Sequence, residues 1–341
     1  MAFPILMKGK FMELIIPEYY NRFRCIAAAC PDSCCKEWAV DVDAASAARY
    51  RALPGELGDR LRDLLHDTPD GTVMTIENGR CPMWREDGLC RIQAELGHDA
   101  LCQVCQTFPR LRHDYGDFVE LGLELSCPEA ARLILTSEDT ITLQTLPGGE
   151  DGDYDTDAMH TLRRSREEFL AYLSTAENLP NALAVLLLYA YDVQSELDGG
   201  EAAILDPQHS LEQAQKFAKP GNMADIFRFF GTLEILTPQW KTILEGGPAL
   251  LRWDPRLKYF LTYLIRRYWL QAVSDYDLVG RVKFCITACL MLGAIAGDTQ
   301  ETAQLFSKEI ENDPDNVDAI LDGAYREPAL ADILLLGLLL L

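Results

Sequence analysis

The sequence is poor in basic residues and contains no long apolar run. It holds 31 lysine and arginine residues against 53 aspartate and glutamate residues, which gives a formal net charge of −22 over 341 residues. Because nucleic-acid binding needs clustered Lys and Arg to neutralise phosphates, this balance argues against a nucleic-acid partner. So acidic a surface would attract a lysine-bearing partner, although excess acid also serves solubility alone.

Segments that would direct the chain into a membrane are lacking as well. Residues 1–8 are only briefly apolar and contain Pro4, so they do not predict a signal peptide. The apolar run at residues 333–341 is far shorter than the roughly 20 residues that span a bilayer, and it predicts a buried terminal helix. We therefore expect a cytoplasmic protein with no membrane partner. A reducing cytoplasm favours metal or redox chemistry of cysteines over disulfides.

Cysteine is scarce in most of the chain and dense in one stretch. Nine of the 11 cysteines lie between Cys25 and Cys127, while Cys285 and Cys289 lie in an apolar run of helical period. Independent burial of small side chains would not gather so many thiols in one segment. We interpret the dense stretch as a metal- or cluster-binding module, and the two downstream cysteines as core residues.

The spacing of these nine thiols differs from that of a standard zinc finger. It runs Cys25-x4-Cys30-x3-Cys34-Cys35, then Cys81-x8-Cys90, then Cys102-x2-Cys105, then Cys127-Pro128. Zinc ribbons use paired C-x2-C knuckles, whereas an iron–sulfur cluster accepts thiolates from scattered loops because its irons form a wider body. The adjacent Cys34 and Cys35 diverge, so they do not easily reach one metal together. The spacing leaves open which four cysteines ligate, and whether one metal or two are bound.

Helical period dominates the sequence beyond the cysteines. We predict a mainly α fold: an N-terminal cysteine-rich metal- or cluster-binding module with little β (residues 1–140), a linker rich in Gly, Asp and Thr (141–157), and an all-helical domain (158–341). The sequence does not predict an oligomeric state.

Local signals predict several elements inside the module. They are an extended lead-in over 11–24, helices over 44–65 capped by Asp43 and interrupted at Pro54-Gly55, a strand at 72–77 paired with residues 81–91, an extended stretch at 118–125, and a helix from Pro128 to residue 135. Trp38 and Trp84 are interpreted as local core residues rather than as a cation-binding cage.

The cysteine pattern resembles that of the flagellin lysine-N-methylase (FliB) family, which shares a zinc- or iron-chelating domain of the CxxCxxCC type. The residues that carry the resemblance are Phe23-x-Cys25-x4-Cys30-x-Asp32-x-Cys34-Cys35-x2-Trp38, Cys81-Pro82-Met83, Gly88-Leu89-Cys90-Arg91-Ile92-Gln93, Glu95-Leu96-Gly97, Leu101, Cys105, Phe108-Pro109-Arg110 and Ser126-Cys127-Pro128-Glu129-Ala130-Ala131-Arg132. In the helical half they are Tyr259-Phe260-x2-Tyr263, Arg266-Arg267-Tyr268, Val282-Lys283-Phe284, Glu309-Ile310-Glu311 and Asn316. The resemblance therefore extends over nearly the whole chain.

This resemblance implies an enzyme that methylates lysine side chains of flagellin in the cytoplasm, with S-adenosylmethionine as methyl donor. It implies a [4Fe–4S] cluster, or alternatively zinc, held by thiols from the set Cys25, Cys30, Cys34, Cys35, Cys81, Cys90, Cys105 and Cys127. Cys102 and Glu124 depart from the family pattern, so Cys102 is left out of that set. Arg110 is the candidate to pair with the donor's carboxylate or to offset the cluster's charge, and the alternative is an ordinary surface salt bridge.

Two motifs that often accompany this chemistry are missing. There is no Gly-rich turn between a strand and a helix of the usual adenosylmethionine fold, and no C-x3-C-x2-C run of radical enzymes. Methyl transfer would therefore occur on an unfamiliar scaffold. The alternative function is a non-catalytic zinc- or iron-binding protein, for metal storage or delivery or as a zinc-stabilised binding module.

No catalytic residue is assigned from the sequence. Methylation of an amine needs a neutral lysine, a donor held in line with it and exclusion of water. The groups that we considered for deprotonation are Asp32, His113, Asp114, Tyr115, Glu120 and Glu124, and we interpret each as a surface or structural residue. Glu309, Glu311 and Asn316 would either line a cleft or form a solvated helix face, and we favour the solvated face.

Overall fold

The computed structural model describes residues 10–36, 40–69 and 71–341. Residues 1–8, for which we predict no signal peptide, and Trp38, which we interpret as a core residue, lie outside this description. Helix accounts for 57% and strand for 12% of the structure, which confirms the prediction of a mainly α protein.

Two β-sheets lie in the front part of the described chain. The strands are β1 (Phe11–Pro17), β2 (Val40–Val42), β3 (Leu65–Thr68), β4 (Gly71–Met74), β5 (Arg110–Asp114), β6 (Phe118–Leu123) and β7 (Ile141–Pro147). The larger sheet has the order β5-β6-β1-β7, with β1 parallel to β6 and antiparallel to β7. The smaller sheet has the antiparallel order β2-β4-β3. This is more β structure than the sequence predicts for the module.

Sixteen α-helices are present among the described residues. They are α1 (Glu18–Arg22), α2 (Ala44–Ala52), α3 (Gly55–Leu64), α4 (Arg91–Leu96), α5 (Gln103–Thr107), α6 (Pro128–Ile134), α7 (Thr156–Thr175), α8 (Leu179–Leu197), α9 (Pro207–Phe217), α10 (Met223–Phe230), α11 (Pro238–Gly246), α12 (Arg256–Tyr268), α13 (Leu278–Ala294), α14 (Thr299–Phe306), α15 (Pro314–Arg326) and α16 (Asp332–Leu340). A π-helical turn, Ser307–Glu311, directly continues α14. We call α7–α16 the helical half.

Most of the local sequence signals are confirmed. Asp43 caps α2 by accepting a hydrogen bond from the Ser46 amide, and the chain breaks between α2 and α3 at Pro54. Pro128 occupies the first turn of α6, where its missing amide proton costs nothing. Cys285 and Cys289 lie in α13, all of whose residues are buried, so they are core residues as predicted.

Three expectations for the front part need correction. The strand at 71–74 pairs with β2 and β3, not with residues 81–91. The lead-in predicted as extended over 11–24 is a strand only over β1 (Phe11–Pro17) and turns helical at α1 (Glu18–Arg22). The predicted linker begins with a regular strand, since residues 141–147 pair with β1 along its whole length. The division of the chain into domains at this stretch stays a prediction.

The interior consists of one large core and two small ones. The large core fills the helical half and continues into the front part through Ile15, Phe23, Phe118 and α6. At the chain end, Leu335, Leu336 and Leu339 of α16 are buried, as predicted for a terminal helix. Among the described residues, no helix combines the length and apolar character that crossing a bilayer requires.

A buried ion pair joins the larger sheet to the first long helix. The Arg166 guanidinium of α7 donates to both carboxylate oxygens of Glu120 on β6, over 2.9 Å and 2.5 Å. The side chains of Arg166 and Glu120 are only 2% and 9% exposed. Two charges withdrawn from water in this way stabilise the fold only as long as both are present.

Replacing Glu120 with Ala should therefore lower the free energy of unfolding by about 3–5 kcal/mol, because Arg166 is left buried without its main counter-charge. The matched control is Glu13→Ala, which removes the half-exposed pair with Arg163 and should cost less than about 1 kcal/mol. Urea denaturation measures both. Similar losses in the two variants would contradict this assignment.

Candidate functional site

The front part packs a small core of its own beneath several cysteines. This core is formed by the smaller sheet, α2, α3 and the segments around α4 and α5, and it includes Cys81 and Cys102. Asp43 binds two helix starts at once, since its two carboxylate oxygens accept hydrogen bonds from the amides of Ser46 and Gln103, both at 2.9 Å. The Tyr50 hydroxyl donates to Ala100 O over 2.7 Å. These contacts hold the start of α5, and with it Cys102, against α2.

Cys102 and Cys105 form the first thiol contact. Cys102 is 2% exposed and lies at the N-cap of α5, one turn from Cys105. The hydrogen bond from the Cys105 thiol lowers the pKa of Cys102 to about 7 and raises that of Cys105. Cys102, which the resemblance left out of the ligand set, thus belongs to the thiol group. Its C-x2-C spacing with Cys105 was the available signal in the sequence.

A second contact joins Cys34, Cys35 and Cys81. Interaction with the Cys35 thiol lowers the pKa of Cys34 to about 7 and also lowers that of Cys81. The backbone supports this arrangement, because the Cys81 amide donates to Cys35 O over 2.6 Å. Cys90 is close enough for the charges of Cys81 and Cys34 to act on it, although burial is the main reason that its pKa is raised.

Cys25, Cys30 and Cys127 form a neighbouring group. Burial raises the pKa of Cys127 to about 11 and also raises that of Cys30, and the charge of Cys25 acts on both sulfurs. The charge of Cys34 also acts on the Cys30 sulfur, so Cys34 links this group to the other thiols. Electrostatic interactions thus relate all eight predicted cysteines and Cys102 to one another, and their role as ligands stays a prediction. We call these nine residues the thiol cluster.

The donor set is of the type that the predicted metal chemistry needs, since thiolates are the soft ligands that zinc and iron–sulfur clusters use. Cys90, Cys102 and Cys127 each lie at the N-cap of a helix, where backbone amides act to lower the thiol pKa, although burial outweighs them at Cys90 and Cys127. No disulfide forms among the cysteines. Within residues 10–36, 40–69 and 71–341, no three His, Cys, Asp or Glu side chains are arranged to hold a single metal ion. The identity of the ligands stays a prediction.

Asp32 connects the thiol cluster to the helical half. Its carboxylate accepts hydrogen bonds from Lys308 and, over 2.9 Å, from Gln304 Nε2, and Lys36 Nζ lies 2.6 Å from its other oxygen. Burial acts to raise the pKa of Asp32, but Lys308 and Lys36 outweigh it and lower that pKa to about 2. Gln304 also donates to Ser126 O, next to Cys127. We call this junction between the cysteine loops and the end of α14 the seam.

Behind the seam lies a buried polar network carried by the π-helical turn. Glu311 accepts hydrogen bonds from the hydroxyls of Tyr263, at 3.1 Å, and Tyr268, at 3.0 Å, and lies 3.4 Å from Arg267 Nη1. Glu309 accepts from the Leu236 amide over 2.8 Å.

The solvated helix face that we favoured for Glu309, Glu311 and Asn316 is therefore wrong. All three residues are buried, and Asn316 donates to the carbonyl oxygens of Glu309 and Glu234. Their polar atoms form hydrogen bonds inside the fold instead of with water. Turns of π-helix of this kind are frequent at functional sites.

A small cavity of about 30 Å³ separates the larger sheet from α12. Polar groups in its wall come from Tyr19, His113, Glu120, Tyr263 and Arg267. Burial lowers the pKa of His113, and its Nε2 atom has no hydrogen-bond partner among the described residues. The space suffices for about one water molecule and not for a nucleoside.

The other groups considered for proton transfer have structural surroundings. Asp114 is exposed and accepts from Arg112, and Tyr115 stacks on Phe118 with ring centroids 4.7 Å apart. Glu124 is partly buried, which raises its pKa, and it accepts a hydrogen bond from Ser126.

The two remaining aromatic and cationic candidates lie near the cysteine loops. Arg110 is exposed, and its guanidinium lies 5.1 Å from the centre of the Phe23 ring. The guanidinium of Arg80 lies 3.7 Å from the centre of the Trp84 ring, so Trp84 contacts a cation of its own chain rather than lying in a closed apolar core. The role of Arg110 in binding a donor stays a prediction.

Three curated proteins that match the chain come from Salmonella. "Lysine-N-methylase" of Salmonella typhimurium strain LT2 is 32% identical over 140 residues, which cover 37% of this chain and 33% of that protein. "Flagellar biosynthetic protein FliU" of Salmonella muenchen is 31% identical over 140 residues, covering 37% of this chain and 79% of that protein. "Lysine-N-methylase" of Salmonella choleraesuis is 33% identical over 134 residues, again 33% of its length. The match thus spans about a third of each lysine-N-methylase. No family model and no solved structure matches the chain.

The thiol cluster predicts a specific pattern of metal retention. Protein purified without oxygen should lose most of its bound iron or zinc on Cys34→Ser, Cys81→Ser or Cys102→Ser, because each change removes a thiolate from the contacting group. The matched control is Cys289→Ala in the buried core of α13, which should keep the full metal content. Elemental analysis per chain, together with the visible absorption spectrum, checks both.

Equal metal content in the cluster variants and in Cys289→Ala would contradict the assignment. Cys25→Ser tests the neighbouring group separately: a partial loss of metal would indicate two sites, and a complete loss would indicate one.

Proposed function

Since this chain belongs to the flagellin lysine-N-methylase (FliB) family, we propose that it is a protein-lysine N-methyltransferase that acts on flagellin in the cytoplasm. The methyl donor is S-adenosylmethionine, and activity depends on a [4Fe–4S] cluster held by the thiol cluster. The observation that carries the proposal is the kinship with proteins named lysine-N-methylase. The gathering of nine thiols on one side of the seam supports it.

The residues that would hold the cluster are members of the two contacting thiol groups. Cys35 interacts with Cys34 and Cys81, and Cys105 with Cys102, while the charges of Cys34 and Cys81 act on Cys105, so we infer that the four ligands come from among these five thiols. When bound, a [4Fe–4S] cluster supplies a redox-active iron–sulfur body held by thiolates. The short helices α4, α5 and α6 would direct amides toward that negative charge, which favours the bound thiolate form.

Side chains beside the cluster have the charges that the donor and the substrate need. Arg110 is the first residue of β5, directly after Phe108 and Pro109, and its side chain is exposed enough to pair with the carboxylate of the donor. A protein carrying 53 acidic residues against 31 basic ones also favours the approach of lysine side chains.

The proposal predicts that protein reconstituted with iron and sulfide transfers methyl groups from isotopically labelled S-adenosylmethionine to lysines of recombinant flagellin. Mass spectrometry of the digested flagellin measures the transfer. The Cys81→Ser variant lacks one of the candidate cluster ligands. It should lose at least about 99% of the methyl-transfer activity, which is the loss expected when a catalytic group is removed. The Cys289→Ala variant should retain it.

The same assay tests the donor site. Arg110→Met should raise the KM for S-adenosylmethionine by about tenfold or more through loss of a charge-assisted pair, with metal content unchanged. Absence of methyl transfer by protein with a full cluster would refute the proposed function. A colourless, zinc-loaded protein without transfer would support the metal-binding module instead.

A further inference from the structure

The larger sheet ends in a strand whose outer edge is unpaired in the described part of the chain. Strand β7 pairs with β1 on one side, and among residues 10–36, 40–69 and 71–341 no strand pairs with its other side. The register shows which backbone groups face outward. The Gly148 amide donates to Lys10 O and the Glu18 amide donates to Thr140 O, so residues 142, 144 and 146 point their amides and carbonyls to β1. The amides and carbonyls of Ile141, Leu143 and Thr145 therefore point away from the sheet.

This edge lacks the features that protect edge strands. Natural edges are short or carry charges, bulges or proline to prevent another strand from adding. The opposite edge of the same sheet, β5, has the sequence Arg-Leu-Arg-His-Asp and is protected in this way. The seven residues of β7 are uncharged, with a proline only at the end, and Leu143 and Leu146 are 61% and 39% exposed.

Acidic residues flank β7 at both ends. Glu138 and Asp139 precede the strand, and Glu150, Asp151 and Asp153 follow it within six residues. Glu150 and Asp153 are exposed. A second copy of this chain would bring the same acidic flanks against one another, which opposes self-pairing at a net charge of −22. A lysine-bearing segment would instead meet the exposed carboxylate of Glu138 before this uncharged strand and those of Glu150 and Asp153 after it.

The position of β7 relates the edge to the helical half. Ile141, at the start of the strand, also lines the cavity between the larger sheet and α12. Next to it, Asp139 is bound by Arg266 of that helix over 2.7 Å. A segment that runs along β7 would therefore end where the sheet meets the helical half.

We propose that the outer edge of β7 is a docking site for an extended, lysine-bearing segment of polypeptide, which adds to the larger sheet as a further strand. Backbone groups of Ile141, Leu143 and Thr145 form the ladder, Leu143 and Leu146 supply apolar contact, and the acidic flanks select a basic segment. In the context of the proposed function, on which this reading of the occupant rests, the segment is part of the protein substrate.

The test uses the full-length, metal-loaded protein and a fluorescein-labelled peptide of alternating lysine and threonine. Fluorescence anisotropy should show binding of this peptide and not of one that alternates glutamate and threonine. Thr145→Pro removes one outward amide proton without touching the β1 ladder, and proline is tolerated on an edge strand. It should weaken binding by about tenfold or more, whereas Thr145→Ala should bind as the unmodified protein does. Circular dichroism and metal content confirm that both variants are folded.

A second pair of variants separates charge from backbone pairing. Leu143→Lys should weaken binding of the lysine peptide, and Leu143→Glu should not. The proposal is overturned if the lysine peptide does not bind, or if Thr145→Pro and Thr145→Ala bind it equally. It is also overturned if sedimentation shows a dimer that Thr145→Pro dissociates, because the occupant is then a second copy.

The two proposals fail in different ways. Peptide binding that depends on Thr145, without methyl transfer to flagellin, would refute the proposed activity and leave the docking edge in place. Methyl transfer that is unchanged in Thr145→Pro would refute the docking edge and leave the activity in place.

Discussion

The junction at Asp32 is the interaction on which the arrangement of the candidate site depends. One carboxylate, placed among the cysteines of the first loop, is held by Lys36 from its own segment and by Lys308 and Gln304 from the helical half. The Lys308 side chain is 9% exposed and that of Asp32 is 17% exposed, so each charge is withdrawn from water largely in the presence of the other. These contacts fix the cysteine loops against the π-helical turn. The same turn carries Glu311, which accepts the hydrogen bonds of Tyr263 and Tyr268 in the buried polar network.

The front module has a small core that includes two of the thiols. Its separate core consists of 14 buried residues, two of which are Cys81 and Cys102. So small a core gives limited hydrophobic stabilisation, and modules of this size commonly add a metal or disulfides. No disulfide is present, and the loops that carry Cys25, Cys30 and Cys34 have little regular structure besides one 3-10 turn. Sulfur bound to metal is the kind of cross-link that would hold these loops in place.

Features that depend on neighbouring residues could be predicted from the sequence, and features that depend on distant ones could not. The cap at Asp43, the break at Pro54 and the burial of Cys285 follow from local turn chemistry and helical period. The pairing of β1 with β6 joins segments about a hundred residues apart, and no local pattern encodes it. For the same reason β7 resembled a linker: its uncharged residues between Gly- and Asp-rich stretches gain a regular conformation only by pairing with β1. Glu309 and Glu311 looked like surface residues because their partners, Leu236 and Tyr263, lie far away in sequence.

The central proposal is that bound metal organises the cysteine loops and the small core around α2–α5, while the helical half folds around the large core. Hydrogen–deuterium exchange of metal-loaded protein, compared with the same protein after anaerobic chelation, tests it most directly. The account predicts that amides of α2–α5 and of the cysteine loops lose protection on metal removal, while those of α13 remain protected. Unchanged protection throughout the front module after complete loss of iron and zinc would contradict it.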